Sequence, residues 1–222
     1  MKLPGLGAWS EDPLWSYVYP RLVDSGPLGR TAWHAGMGSD LALLHQAAAE
    51  LGTLPRGSRV LDIPTGSGVA LRGLRPGQGL DVVAADISTT MLARARATGR
   101  RLGVSDQVTT AVADVGELPF ADGSFDLVVS FTGLHCFPDP RRAIIEMVRV
   151  LAPGGAITGS SLFIDTGPRY VPLRRAGTRA GILGPMCTSN QARDWLLAAG
   201  CAEVDLRIHG ALGYFRAVRA AS

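Results

Sequence analysis

From residue 58 onward the chain keeps switching between two hydrophobic periods, and that alternation constrains its fold more than any other feature. Short β-rich apolar runs come at RVLDI (59–63), DVVAADI (81–87), QVTTAVAD (107–114), SFDLVVSFTG (124–133) and AITGSSLFI (156–164). Between them lie segments with helical spacing: GVALRGL (68–74), TTMLARARATGRRLG (89–103) and DPRRAIIEMVRVLAPGG (139–155). Runs such as LVVSF are apolar nearly throughout, as in strands covered on both faces. Strands alternating with helices read as parallel strands joined by crossovers. The expectation is an α/β chain with an open, doubly wound, Rossmann-like sheet. Ser88 is the expected cap of the second helix, because its side-chain oxygen can accept from a free first-turn amide. The third helix takes Asp139 as cap, Pro140 at its first position and a Pro-Gly-Gly stop. Further on, SNQARDWLLAAG (189–200) reads as a helix, and AEVDLRIHG with ALGYFRAVRA reads as an antiparallel hairpin turning at Gly210.

Two segments break the rhythm. Residues 1–57 contain PLWSYVYPRLV and SDLALLHQAAAEL, which predict two helices with an irregular stretch between them. They read as a separate N-terminal region ahead of a core expected to span 58–222. Residues 165–188, rich in Gly, Pro and Arg, read as a variable insertion in that core. A loop of this length is usually functional or hides a helix.

Composition narrows the function. The 222 residues suit one domain, and a hydrophobic fraction of 46% supports a sizeable core. The net charge of +3 comes from scattered arginines; Arg100-Arg101, Arg141-Arg142 and Arg174-Arg175 are isolated pairs that read as solvated surface, so no nucleic-acid partner is expected. Three widely spaced cysteines suggest neither a disulfide framework nor a zinc site. No signal peptide or membrane span is expected, which makes the cytoplasm the simplest location. High Gly, Ala and Arg usage fits a GC-rich bacterial genome.

The ends of the strands carry the chemistry. In VLDIPTGSG (60–68) an acid, Asp62, is followed at once by a turn containing Gly66 and Gly68. Ligands of open α/β sheets sit outside the carboxyl ends of the strands, where strand order reverses. The two glycines allow a ligand close to the main chain, and a following helix would aim its free N–H groups there. The turn is not G-x-G-x-x-G, since the third glycine would fall at Leu71, and no Gly-Lys-Ser/Thr follows. An acid beside the turn repels a pyrophosphate and favours a ligand with a positive centre. Asp86 ends the second strand, where a carboxylate can take both ribose hydroxyls. Asp114 ends the third, where an exocyclic adenine amine can be met. Each acid alone reads as a cap or turn residue. Together they outline a pocket for an adenosine that carries a cation instead of phosphates, as the sulfonium S-adenosylmethionine does.

VLDIPTGSG, AADIS, VADVGELPFADGSFDLVVS and LHCFPDPRRAIIEMVRVLAPGG resemble the successive motifs of class I S-adenosylmethionine-dependent methyltransferases. The closest branch is the ubiquinone/menaquinone-biosynthesis type (methyltransferase type 11), whose relatives include many natural-product enzymes. The resemblance covers roughly 58–162 plus the C-terminal helix and hairpin. It implies a seven-stranded sheet with the last strand antiparallel, residues 1–57 as a helical lid and substrate region, S-adenosyl-L-methionine as cofactor and S-adenosyl-L-homocysteine as product. By position it places Asp62, Pro64, Gly66 and Gly68 at the methionine and ribose end. Asp86 with Ile87 falls at the ribose, Asp114 with Val115 at the adenine, and Phe131 among the cofactor contacts. Pro64 departs from the family's usual glycine and removes one backbone N–H from the turn.

Methyl transfer from an activated donor relies on proximity, with a general base needed when the acceptor is a weakly acidic hydroxyl. His135, in the loop FTGLHCFPD, is the candidate base, set against a purely structural role in that loop. His34, in TAWHAGMG, is a second candidate on the lid; His45 and His209 are not. No His/Cys/Asp/Glu spacing suggests a metal. Trp15, Tyr17, Tyr19 and Trp33 would suit a roof over a flat apolar acceptor. Arg174, Arg175 and Arg179, with Tyr170, would favour an acidic acceptor if they faced the pocket. The expected function is methyl transfer to a small-molecule acceptor, on oxygen with nitrogen and carbon left open, in secondary metabolism, by a monomer or homodimer. The rivals are a methyltransferase of RNA or protein, a cofactor-binding enzyme that catalyses a cyclisation or other rearrangement, and a nicotinamide-dependent oxidoreductase.

Overall fold

The computed structural model describes residues 26–221. One seven-stranded sheet has the order β3-β2-β1-β4-β5-β7-β6. Its strands are β1 (Arg59–Asp62), β2 (Asp81–Asp86), β3 (Val108–Val112), β4 (Phe125–Phe131), β5 (Leu151–Leu162), β6 (Cys201–His209) and β7 (Leu212–Arg219). β1 pairs in parallel with both β2 and β4, β2 with β3, and β4 with β5. β7 runs antiparallel to β5 and closes a hairpin with β6. Strand order therefore reverses between β1 and β4, at the carboxyl end of the strand that carries Asp62.

The helices are α1 (Gly26–Met37), α2 (Leu41–Ala49), α3 (Thr89–Leu102), α4 (Pro140–Arg149), α5 (Val171–Arg179) and α6 (Ser189–Ala198). Side chains alternate across the sheet, as a strand's two-residue period requires. Leu61 and Val128 enter one apolar cluster with Ile144, Met147 and Leu196 on the α4 and α6 side. Val60, Leu127 and Val129 enter the other with Leu44, Leu71 and Ala95. The expected caps are present: Ser88 Oγ accepts from Met91 N–H, and Asp139 accepts from Arg142 N–H. Thr188 and Gln191 cap α6 reciprocally.

Three expectations need correction. GVALRGL forms only a four-residue 3-10 turn, Ala70–Gly73. Gly68 and Gly73 lower its helical preference, and a Cβ at Gly73 would run into the Ala48 carbonyl of α2. No α-helix N-terminus therefore points at the strand end from this segment. The helix expected over 139–155 stops at Arg149, and Leu151 already pairs with Phe125. Pro153, Gly154 and Gly155 lie instead in a register irregularity at the start of β5, with Gly154 at φ +77°. The stretch between the two expected N-terminal helices is itself helical, forming α1, whereas PLWSYVYPRLV, with Trp15, Tyr17 and Tyr19, lies outside the described residues. The insertion 165–188 contains α5.

Candidate functional site at the switch point

Asp62 is buried at the end of β1, and its Oδ2 accepts from Thr65 Oγ1 at 2.6 Å. Burial pushes its carboxyl up to about 7; the Thr65 hydrogen bond opposes this, and the nearby Asp86 adds to it. Asp86, also buried, is aimed by the main chain: Gly66 N–H donates to Oδ2 and Ser88 N–H to Oδ1, both at 2.9 Å. The turn itself is tied down by Thr65 N–H to Ala85 O and Gly68 N–H to Thr65 O, each 2.8 Å. Gly66 adopts φ +52°, and a Cβ there would stand in open space. Its left-handed backbone is what requires glycine, and the space over it is the cleft. Gly68 serves a different purpose from the one expected of it. It is buried, and a Cβ would press on Leu71 and on Ala95 of α3. It shapes the turn from beneath.

Asp62, Pro64, Gly66, Ser67, Asp86, Phe131 and Thr132 line this cleft, about 70 Å³ in volume. An adjoining cleft of about 230 Å³ shares Asp86 and continues past Ile87, Ala113, Asp114 and Val115 to Phe137 and Gly184. Asp114 stands two residues beyond β3, with Oδ1 accepting from Gly116 N–H at 2.8 Å. Its loop is fixed from α4, where Arg142 Nε donates to Gly116 O and Glu146 Oε2 accepts from Leu118 N–H. Eight of the nine residues proposed as cofactor contacts thus line two joined clefts along one sheet edge; Gly68 alone does not.

A third cavity, about 300 Å³, lies beyond Thr132. Trp33 and Met37 of α1, Leu162 of β5, Leu173 and Ala176 of α5, Leu183 and Leu212 form its walls, together with His135 and Cys136. Thr132 lines both this cavity and the first cleft, and it holds φ +52°, an uncommon conformation for a β-branched residue. No sequence signal marked Thr132. Cys136 and Leu183 face both the cavity and the second cleft.

His135 is buried in the cavity wall. Its Nδ1 accepts from Leu162 N–H at 3.0 Å and lies 3.2 Å from Ser161 Oγ. Burial lowers its pKa to about 3. His34 is exposed on α1 and lines none of the three spaces; its neighbour Trp33 does. The insertion's arginines do not face the cavity. Arg174 is buried against the main chain, donating to Phe163 O, Thr166 Oγ1 and Gly167 O, while Arg175 and Arg179 are exposed. Tyr170 packs on Gly38 instead. Among the described residues no group of three or more His, Cys, Asp or Glu stands where it could hold a metal. No described helix is long and apolar enough to cross a membrane.

Acids and a glycine turn at the switch point of a doubly wound sheet define a Rossmann-like domain for an adenosine-type ligand. Residues 61–158 match the family described as a methyltransferase domain, and the segment is similar to methyltransferases of the ubiquinone/menaquinone-biosynthesis type. The demethylmenaquinone methyltransferase of Clavibacter sepedonicus is 40% identical over 121 residues, 54% of this chain and 46% of that one. The 27-O-demethylrifamycin SV methyltransferase of Amycolatopsis mediterranei is 31% identical over 147 residues, 63% of this chain and 54% of that one. The chain spans about half the length of these curated relatives. Among solved structures, the cyclase SpnF superposes with a TM-score of 0.64 at 20% identity, over 82% of this chain and 83% of that one, which shows a shared fold.

Proposed function

We propose that this protein transfers a methyl group from S-adenosylmethionine to an oxygen of a small apolar molecule, in secondary metabolism. The observation that carries the reading is the meeting, at Thr132, of an acid-lined cleft and an apolar cavity.

The residues present fit the cofactor. Asp62, buried and reluctant to ionise alone, is matched to a cationic ligand, because a positive centre beside it would stabilise the carboxylate. Asp86 is held by two backbone N–H groups so that its oxygens face the cleft with a fixed geometry suited to a vicinal diol. The space over Gly66 leaves the main chain open to approach, Ile87 and Val115 offer apolar contacts to a purine, and Asp114 stands at its rim. When bound, the cofactor would supply a methyl group already activated on sulfur. The chain's own task is then to orient the acceptor and keep water out. Trp33, Leu162, Leu173 and Leu183 do both, by enclosing the cavity next to Thr132. The rifamycin relative, named for a 27-O position, supports oxygen as the acceptor atom and a natural product as the acceptor class.

The test is titration calorimetry with S-adenosylhomocysteine and NAD, followed by methyl-transfer assays on a panel of aromatic hydroxy compounds. Binding of S-adenosylhomocysteine alone with turnover is the expected result. Preference for NAD would return the reading to an oxidoreductase. Tight S-adenosylhomocysteine binding with no turnover would favour a rearrangement enzyme, the activity for which SpnF is named.

A further inference from the structure

The cavity contains a buried imidazole whose protonation state is fixed by the main chain. A backbone N–H can only donate, so the 3.0 Å contact from Leu162 requires Nδ1 of His135 to be unprotonated. The neutral ring then carries its proton on Nε2. Ser161 Oγ, which donates to Leu162 O at 3.1 Å, adds a second polar atom on the Nδ1 side. Nε2 has no hydrogen-bond partner among the described residues and is not sealed off from the cavity that His135 lines. The residue is therefore a single N–H donor aimed into apolar space. It cannot accept a proton at Nε2 without moving its own proton to Nδ1, against the Leu162 amide.

The rest of the wall limits what this donor can meet. No Asp, Glu, Lys or Arg among the described residues lines the cavity. Thr132 Oγ1 donates to Phe131 O, and Cys136 Sγ to Thr132 O. An ammonium group would find no carboxylate, and a carboxylate would find one donor for its two oxygens. An aliphatic alcohol would find no base. At interior packing density a cavity of about 300 Å³ holds on the order of a dozen heavy atoms, a molecule of one or two rings. Trp33 provides an aromatic wall for it.

We propose that the cavity takes an apolar molecule bearing an acidic hydroxyl of the phenol or enol class, and that His135 holds its oxygen as a neutral Nε2–H donor, not as a base. The hydroxyl proton leaves to solvent, and the oxyanion accepts from Nε2–H. This deepens the methyltransferase reading and rests on it only for the claim that the held oxygen is the methyl acceptor. The lowered pKa of the imidazole agrees with it: burial alone is the cause, with no charged group contributing. A cationic imidazole is not available at neutral pH.

The test has two readouts that need no turnover. Nitrogen-15 NMR of the histidine-labelled protein should show His135 with Nδ1 unprotonated and Nε2 protonated across neutral pH. 4-Nitrophenol, whose absorbance reports its ionisation, should bind and be at least tenfold more acidic in the wild-type cavity than in His135→Leu. His135→Gln, which retains an N–H near the Nε2 position, should restore most of the difference. An Nδ1–H tautomer, no binding of 4-nitrophenol, or equal ionisation in wild type and His135→Leu would overturn the proposal. Both measurements are made with and without S-adenosylhomocysteine. Failure of that compound to bind, with the nitrophenol result intact, would sink the methyltransferase reading alone.

Discussion

The acid-lined cleft and the apolar cavity meet at Thr132, yet they are built in opposite ways. The cleft comes from consecutive strand ends and is organised by main-chain amides: Gly66 and Ser88 orient Asp86, and Thr65 constrains Asp62. The cavity is assembled from α1, the end of β5, the insertion and the start of β7, and nearly all its wall is apolar. Each contains one buried group whose ionisation is strongly shifted, and the two respond to pH in opposite directions. Asp62 is held toward its neutral form by burial, while His135 is held neutral by burial and by the Leu162 amide.

The sharpest way to separate the two is pH. Asp62 has a folded pKa above its ordinary 3.8, so its contribution to stability is full below that value and is withdrawn as pH rises through about 7. Asp62→Asn should therefore stabilise the ligand-free protein increasingly as pH rises from about 4 to about 7 and by a constant amount above that, at most about 4 kcal/mol, while weakening S-adenosylmethionine more than the product that lacks the sulfonium charge. His135 works the other way. Its folded pKa lies below 6.5, so its contribution is present above that value and lost as pH falls toward about 3. Unchanged pH dependence in thermal melts of the Asp62→Asn variant would show that Asp62 is not the strained group.

Asp86→Ala should come next in size. It would remove the two charge-assisted contacts proposed for a ribose diol and leave the Gly66 and Ser88 amides without their carboxylate, so S-adenosylhomocysteine should bind on the order of 100-fold more weakly. Unchanged affinity on calorimetry would remove Asp86 from the site. Leu173→Trp should do the reverse. By filling the cavity from α5 it should lower kcat/KM for a methylated acceptor about tenfold or more, roughly 1.4 kcal/mol, with S-adenosylhomocysteine affinity intact. If both fall together, the two spaces are not separable. Arg175→Ala, Arg179→Ala and His34→Ala should change either measurement less than about twofold, since exposed side chains outside the three spaces contribute little.

This contrast also explains what could be read in the sequence. Asp62, Gly66, Asp86 and Asp114 were legible because each stands at or just beyond the end of an apolar run, and a parallel sheet brings such ends together. Gly68 belonged to the same motif, but a local pattern does not reveal whether a glycine faces a ligand or a helix. The cavity was hardly legible. Trp33 and Leu212 are far apart in the chain, and no period links them. His135 was identifiable by residue type and position, whereas its protonation state depends on an amide at Leu162 that only the fold brings near. Likewise, nothing in the letters around Thr132 indicates a positive φ. The arginines of the insertion drew attention as charges, but the wall is made by their apolar neighbours Leu173, Ala176 and Leu183.

His135 also binds the chain in a second way: its carbonyl accepts from Gly184 N–H at 2.8 Å, as its ring accepts from Leu162. One residue thus fastens the loop after β4 both to the end of β5 and to the far end of the insertion. For protein engineering this marks a seam. A transplanted segment that begins after Ile164 and rejoins at Gly184 would exchange most of one cavity wall while inheriting the register of the histidine. A graft that loses the Gly184 amide would release the loop and the ring together, whatever new side chains it brings.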